Sequence, residues 1–438
     1  VTFDSVDFLP SNGTQEAEYV ILKNNLSTAI DISGWTLDGG IEHTFQGGVV
    51  IPAGSGTAAA EYRGLLHLTK NVFGFRSRSA GPRAGQKRLL QGNYRGQLSA
   101  RGETISLRDT AGQLISSFTY EGNPTEAQLG LRIAELQYHP AEPSAEESMA
   151  LLGVKESDFE YLEFVNVGAG GLSLAGCFFG EGIDYEFPTV SLAAGERLIL
   201  ARNPTAFAIR YPTVAAQVLG PYQGELANSG ERLQLLDPVG EVVLDFEYKD
   251  GWYPSSDGEG RSLVVRDVEG LAHDQFEDPL SWAMGISELG SPGSSDASFA
   301  QAYYGWDNSH FSSEERDDAL ISGPDADPDG DGRDNFSEYA FGTDPRKADQ
   351  IEVSFVWWHG ERDETYPAVF ATRPQNAIDI SYELLAGNDL QALAVTASES
   401  IATASLPDGL ENATYADLSA GDDGKRFFRI RAIPVSSE

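Results

Sequence analysis

Glu18-Tyr19-Val20-Ile21-Leu22-Lys23-Asn24 is followed by Asp31-Ile32-Ser33-Gly34-Trp35-Thr36-Leu37 and then by Ile41-Glu42-His43-Thr44-Phe45. Each stretch is short, rich in β-branched and aromatic residues, and bounded by Asn, Gly or Ser. That is the composition of strands joined by turns, not of helices. Val49-Val50-Ile51 then leads into Pro52-Ala53-Gly54, a further turn. The first part of the chain therefore predicts a β-sandwich.

The same order returns. Glu160-Tyr161-Leu162-Glu163-Phe164-Val165-Asn166 mirrors Glu18 to Asn24, and Leu174-Ala175-Gly176-Cys177 mirrors Ile32 to Trp35. Gly182 to Phe187 mirrors Gly40 to Phe45, and Gly195 mirrors Gly54. Further on, Gly92-Asn93-Tyr94-Arg95-Gly96-Gln97-Leu98 matches Gly220-Pro221-Tyr222-Gln223-Gly224-Glu225-Leu226. Leu107 to Asp109 matches Leu235 to Asp237, and Phe118-Thr119-Tyr120 matches Phe246-Glu247-Tyr248. The spacing shrinks between the early pairs and the late pairs, so the first copy carries an insertion. That insertion holds Arg76, Arg78 and the run Arg83 to Arg88, a basic patch in an acidic chain. A long repeat built of short strands predicts tandem sandwich domains and not a solenoid.

These residues carry a family resemblance. The Glu18–Asn24 strand, Asp31-Ile32-Ser33-Gly34-Trp35, the Gly40–Phe45 strand and the Pro52–Gly54 turn resemble the lamin tail domain, an immunoglobulin-like β-sandwich. The second copy has Cys177 in place of Trp35. The resemblance spans residues 10 to 292 or so and implies a fold but no particular function. Tandem copies of this kind, ending near Gly260–Val264 and Gly290–Gly293, also resemble those that follow spore-coat-H-like kinase domains in secreted bacterial proteins. The kinase signatures themselves are missing from this sequence.

The expected division is residues 1–129 and 130–296 as two lamin-tail-like sandwiches, 297–349 as a short helical segment, and 350–438 as a third sandwich. In the last part Val353 to Trp358, Ala368 to Phe370, Ile378 to Leu384 and Arg426 to Arg431 alternate as strands. In the helical segment Phe299 to Trp306 reads as a short helix. Ser312-Ser313-Glu314-Glu315 reads as a capping box opening a helix toward Leu320. Phe311, Leu320, Phe336, Tyr339 and Phe341 are the expected small core.

That segment contains Asp327-Pro328-Asp329-Gly330-Asp331-Gly332-Arg333-Asp334-Asn335-Phe336-Ser337-Glu338. It matches the calcium-loop pattern D-x-[DN]-x-[DN]-G-x₅-E. Calcium takes six to eight hard oxygen ligands. Asp327, Asp329 and Asp331 supply the first carboxylates, Gly332 permits the turn, the Arg333 carbonyl is the next donor, and Glu338 closes the shell. The eighth loop position, usually apolar where two such loops pair, is Asp334. This loop therefore reads as a single one, resembling dockerin-like and thrombospondin-type-3-like repeats. Glu338 is the least fixed of the expected ligands.

Bulk properties narrow the function. The 438 residues carry a formal net charge of −37, which disfavours nucleic acid and anionic membranes and suits divalent cations. No apolar run is long enough to span a bilayer. The single Cys177 excludes an internal disulfide, leaving calcium as the expected staple of a secreted or cell-surface protein. Val1 at the first position reads as a processed chain or a fragment.

Catalytic patterns are missing. The six histidines lack ligand spacing, and no G-x-S-x-G elbow occurs. Cys177 sits where burial is expected, and acid pairs are too common in this chain to mark a glycosidase. Trp35 reads as a core residue. Tyr94 and Tyr222 read either as corner tyrosines or as exposed platforms for sugars, and Trp358 is a third candidate platform. The expected function is an extracellular, non-enzymatic binding, adhesion or spacer protein rigidified by calcium, with a polysaccharide or a cell-surface protein as partner. The alternative is the accessory region of a larger secreted enzyme, kinase-like or polysaccharide-degrading.

Overall fold

Strand Tyr19–Lys23 is buried over its first four residues. Val20 and Leu22 enter one core, with Leu66, Leu68, Ile105 and Leu107. Tyr19 and Ile21 face the other way, onto Phe75. Both faces are covered, so the strand is a continuous apolar run and not an alternating one. Phe75 belongs to helix Val72–Arg76, whose cap is Asn71; its side chain accepts from Phe73 N at 2.8 Å and Gly74 N at 3.1 Å.

The structure, a computed structural model, describes every residue except 11–13, 56–62, 83–87, 296–298, 317, 352, 360–363, 408, 420–425 and 436–438. It is all-β with a few short helices. Two compact units divide it. One comprises Val1–Arg132, Val165–Glu196 and Leu233–Asp245; the other comprises Ile133–Phe164, Arg197–Arg232 and Phe246–Glu438. In the first unit a sheet of strands Thr2–Asp7, Tyr19–Lys23, Leu65–Thr69 and Leu89–Gly92 shares its core with a second sheet. That sheet runs Leu114–Tyr120, Glu103–Arg108, Thr36–Asp38, Ile41–Thr44 and Arg95–Gly96. Trp35 packs half-buried against this core.

Residues at matching positions of the sequence pattern make similar bonds. Buried Asn24 donates to Thr28 O at 2.8 Å, Ile51 O at 3.2 Å and Pro52 O at 3.0 Å, and accepts from Leu26 N. Asn166 donates to Gly170 O at 2.8 Å and Leu192 O at 3.0 Å, and accepts from Gly168 N. Gly34 N bonds Phe45 O as Gly176 N bonds Phe187 O. Tyr120 reaches Ser99 O and Glu103, and Tyr248 reaches Ala227 O and Glu231. A buried amide that ties a loop in this way holds several backbone groups that would otherwise be left unpaired.

A seven-stranded sheet has the order Gln217–Leu219, Arg197–Ala201, Tyr161–Asn166, Leu131–Gln137, Leu263–Val265, Trp282–Gly285 and Phe299–Ala300. Two further sheets lie near the C-terminus. One runs Val353–His359, Thr365–Pro374, Leu410–Ala416, Ala402–Ser405; the other runs Ala394–Ala397, Ile380–Gly387, Phe427–Pro434. No helix among the described residues is long and apolar enough to cross a membrane.

Several expectations change. Tyr94 and Tyr222 are 5% and 2% exposed, so neither is a sugar platform. Trp358 lies against Tyr366, while Phe355 and Trp357 are exposed rings of that strand. The helix after Ser312 covers only Ser313–Arg316 and leaves Leu320 87% exposed, outside any core. Arg78 is buried, paired with Asp7 at 2.6 Å and donating to Ala17 O, so it is not part of a basic surface. Arg83 to Lys87 lie outside the described residues. The stretch Gly182–Phe187 forms an isolated bridge, Phe178 to Glu186, in place of a strand. Phe178–Glu181 pairs with Glu231–Leu236 as Thr36–Asp38 pairs with Glu103–Arg108.

Buried acids stand at two matching positions of the sequence pattern. Glu18 accepts from Leu98 N, and Glu160 accepts from Leu226 N at 2.9 Å and from Tyr222 Oη at 2.8 Å. Burial pushes Glu18 up from 4.5 to about 8, opposed by Lys70, and pushes Glu160 up to about 7. The folded chain holds these protons at pH values where the unfolded chain has released them. Their contribution is therefore full below about 4.5 and is lost as pH rises through the folded values. Glu18→Gln keeps the acceptor without the charge. Its thermal midpoint is expected to exceed the parent's by a margin that grows between about pH 5 and pH 8. Melting curves that shift in parallel across that range would refute this.

Candidate metal centre

The loop Asp327–Glu338 is held open by its own backbone. Asp327 accepts from Gly330 N and Gly332 N, each at 2.9 Å. Asp329 accepts from Asp331 N at 3.0 Å, and Asp331 accepts from Arg333 N at 2.9 Å. Gly332 has φ +92°, a value that side-chain-bearing residues rarely adopt. Each acid thus commits one or two lone pairs to the turn and keeps others for a ligand.

Helix Asn335–Phe341 leaves the loop. Its cap is Asp334, which accepts from Ser337 N at 2.8 Å. The acid at the eighth loop position thus serves as a helix cap. Asn335, fully buried, donates to Ile321 O and Gly323 O, both at 2.9 Å, and ties the helix to the approach segment. Gly342 ends the helix at φ +67°. A Cβ there would come within 2.9 Å of Leu410.

The oxygens form two groups that share Asp331. Asp327, Asp329 and Asp331 bring ligand atoms within 4.8 Å of one another, and so do Asp331, Glu338 and Asp349. All the residues expected from the sequence are therefore placed around the loop, though not as one mutual cluster, and Asp349 is added. Glu338 is 0% exposed and neither of its oxygens has a partner. Asp329 Oδ2 is also buried and unpartnered. Burial, then Asp329 and Asp331, push the Glu338 carboxyl up to about 7, with Arg333 opposing. An unpaired carboxylate among other acids is costly unless a proton or a cation meets it. Hard oxygens at this spacing fit a hard divalent cation, since two metal–oxygen bonds of about 2.4 Å span such a gap.

Asp349 escaped the sequence reading because it lies beyond the twelve-residue pattern. The turn Gly342-Thr343-Asp344-Pro345 brings the chain back: Lys347 N bonds Asp344 O at 3.0 Å, and Asp344 N faces Asp349 Oδ2 at 3.4 Å. That turn was the only available signal.

The helix is no island. Tyr303, Tyr339 and Ala340 share one core with Val369, Ile380, Tyr382, Leu384, Ala413 and Tyr415 of the terminal sheets. Asp379 accepts from Tyr339 Oη at 2.8 Å and from Tyr303 N at 2.6 Å. Of the five expected core residues, Phe311 and Tyr339 are buried, Phe336 and Phe341 pack at the rim, and Leu320 is outside. The segment therefore does not rest on a small core of its own.

Cys177 is buried, and its thiol is pushed up to about 12 by burial and by Asp237. Asp257, in the short acidic run near Glu259, pairs with His139.

Residues 1–122 match the family described as Lamin Tail Domain. This is the first sandwich, and its immunoglobulin-like fold agrees with the two sheets around Val20 and Leu22. No curated protein and no solved structure matches the chain.

Asp334→Ala removes the helix cap and is expected to lower metal-free stability by about 1 kcal/mol, while Asp334→Ser retains most of it. Chemical denaturation of the two variants checks this; equal stabilities would show that Asp334 does not cap.

Proposed function

We propose that this is an extracellular, non-catalytic, multi-domain β-protein that serves binding, adhesion or spacing, with two lamin-tail-like sandwiches in tandem and a calcium ion bracing the segment that carries the terminal sheets. The observation that supports it is Glu338, sealed from water with both oxygens unpartnered and facing Asp329, Asp331 and Asp349. Asp327, Asp329, Asp331 and Glu338 would hold the ion with their carboxylates, and Arg333 with its backbone carbonyl. When bound, calcium supplies the positive charge that these acids lack. The chain's part is to position them, through Gly332, Asp334 and Asn335. The recurrence of the Asn24 and Asn166 bonds supports the tandem reading. The net charge of −37 suits a calcium-rich exterior as the setting. In the alternative, the same modules would be the accessory region of a larger secreted enzyme.

The brace would act on packing. Helix Asn335–Phe341 carries Tyr339 and Ala340 into the core of the terminal sheets. Order in the loop is therefore order at the base of those sheets.

Calcium at about a hundredfold excess over its dissociation constant is expected to add about 2.7 kcal/mol. EDTA should lower the thermal transition and expose residues near 320–345 to protease, and Glu338→Gln should abolish most of the calcium-dependent gain. If EDTA changes neither readout in a chain shown by elemental analysis to be metal-free afterwards, the proposal fails.

A second reading, saccharide binding, has one specific support. A cleft of about 700 Å³ is lined by Tyr253, Phe299, Trp306 and His310 together with Gln301 and Asn376. Aromatic faces beside amides suit sugar rings and their hydroxyls. Trp306→Ala should abolish binding to any polysaccharide that a glycan array detects. An array on which no glycan binds the parent chain counts against this reading.

A further inference from the structure

We propose that the Arg333 side chain is a tethered cation that occupies the metal centre's ligand oxygens until calcium displaces it, and that Asp349 is a ligand supplied from outside the loop. This rests on the calcium reading and adds a regulator to it. Three observations carry it.

The first is the open ligand set. Asp331, Glu338 and Asp349 bring one oxygen each within 4.8 Å of the others. Glu338 is wholly buried, and both its oxygens lack a partner. A pattern-matching loop alone would place Glu338 among Asp327, Asp329 and Asp331; here it groups with Asp331 and, from outside the loop, Asp349. An ion able to satisfy Glu338 therefore meets Asp349 as well.

The second is the guanidinium. Arg333 Nη2 contacts Asp331 Oδ2, donates to the Asp349 backbone carbonyl, and reaches Asp349 Oδ1 at 3.2 Å. One positive charge thus engages two of the three carboxylates and leaves the third unmet. A divalent ion at the same place would meet all three, which is the differential that lets it win.

The third is that the guanidinium is not well housed. Arg333 Nε is buried without a partner. Release into water would satisfy that N–H, so displacement returns something to the side chain that leaves.

The two roles of Arg333 separate cleanly. Its carbonyl remains a loop donor whatever side chain is present. Its guanidinium neutralises part of the acid cluster in the metal-free chain and must be displaced for the ion to reach Asp331 and Asp349. The consequence is a site whose metal-free form stays folded and whose affinity is lowered toward the concentrations found outside cells.

The test is calorimetric titration of the full chain with calcium chloride, alongside thermal melting with and without the ion. Arg333→Ala is expected to bind calcium about tenfold more tightly and to melt lower when metal-free, so that its calcium-induced shift exceeds the parent's. Asp349→Asn is expected to bind about tenfold more weakly. Circular dichroism of both variants, free and loaded, shows whether they remain folded. A parent chain that takes up no calcium overturns the calcium reading itself. A parent that binds, with Arg333→Ala no tighter, overturns the competitor role and leaves the calcium reading intact. A parent that binds, with Asp349→Asn unchanged, removes Asp349 from the ligand set. A purely structural Arg333 lowers the melting point of free and loaded chains equally and leaves the affinity unchanged.

Discussion

A carboxylate shut away from water must be met by a proton, an N–H, a guanidinium or a metal, and this acidic chain meets that demand in several ways. Glu18 and Glu160 take backbone amides from Leu98 and Leu226. Glu163 is closed by Arg197 and by Gly293 N, and Glu241 by Gln15 and Ala100 N. Asp379 takes Tyr303 N and Tyr339 Oη. Each of these bonds also fixes a loop or a turn, so meeting the charge and building the fold are one act. Glu338 is the case where the protein itself offers nothing. That vacancy of partners, at the twelfth position of an acidic loop, is what points to a cation.

The same logic explains why the loop matters beyond itself. Seven residues of helix cannot stand alone in water. They are held at one end by Asp334 and Asn335 and along their length by the terminal sheets, through Tyr339 and Ala340. Whatever orders the acids at the helix entrance steadies aromatic rings that belong to the core of those sheets. The expectation of a separate metal-held core gave way for this reason: its largest ring, Tyr339, is shared property.

Much of the architecture was legible. The sequence pattern recurs where similar bonds use particular side chains. An Asn that closes a loop, a Tyr that caps a corner and a Gly at positive φ leave letters at fixed offsets. The acidic loop stood out for a similar reason, since three acids and a glycine at set spacings are what one coordination shell would demand. What was not legible depended on contacts between distant letters. Tyr94 and Tyr222 sit between glycines, which suggests exposure, yet both turn inward toward buried glutamates. Arg78 looks like part of a basic surface and is instead spent on Asp7 and Ala17 O. The stretch Gly182–Phe187 alternates like a strand yet keeps only an isolated bridge from Glu186 to Phe178, because pairing depends on what packs alongside and not on local alternation.

By itself the sequence determined an all-β chain, a first sandwich of the lamin tail type, an internal repeat and an acidic loop spaced for a hard cation. These follow from periodicity and from short-range spacing, which a linear reading captures. The tertiary structure alone decided that Asp349 returns to the loop, that Arg333 lies across its acids, and that the helix after the loop is part of the terminal core. The physical reason is that each of these depends on where the chain comes back to after a turn. That place is chosen by the burial of Tyr303, Tyr339 and Tyr382 together, not by any residue's neighbours in sequence.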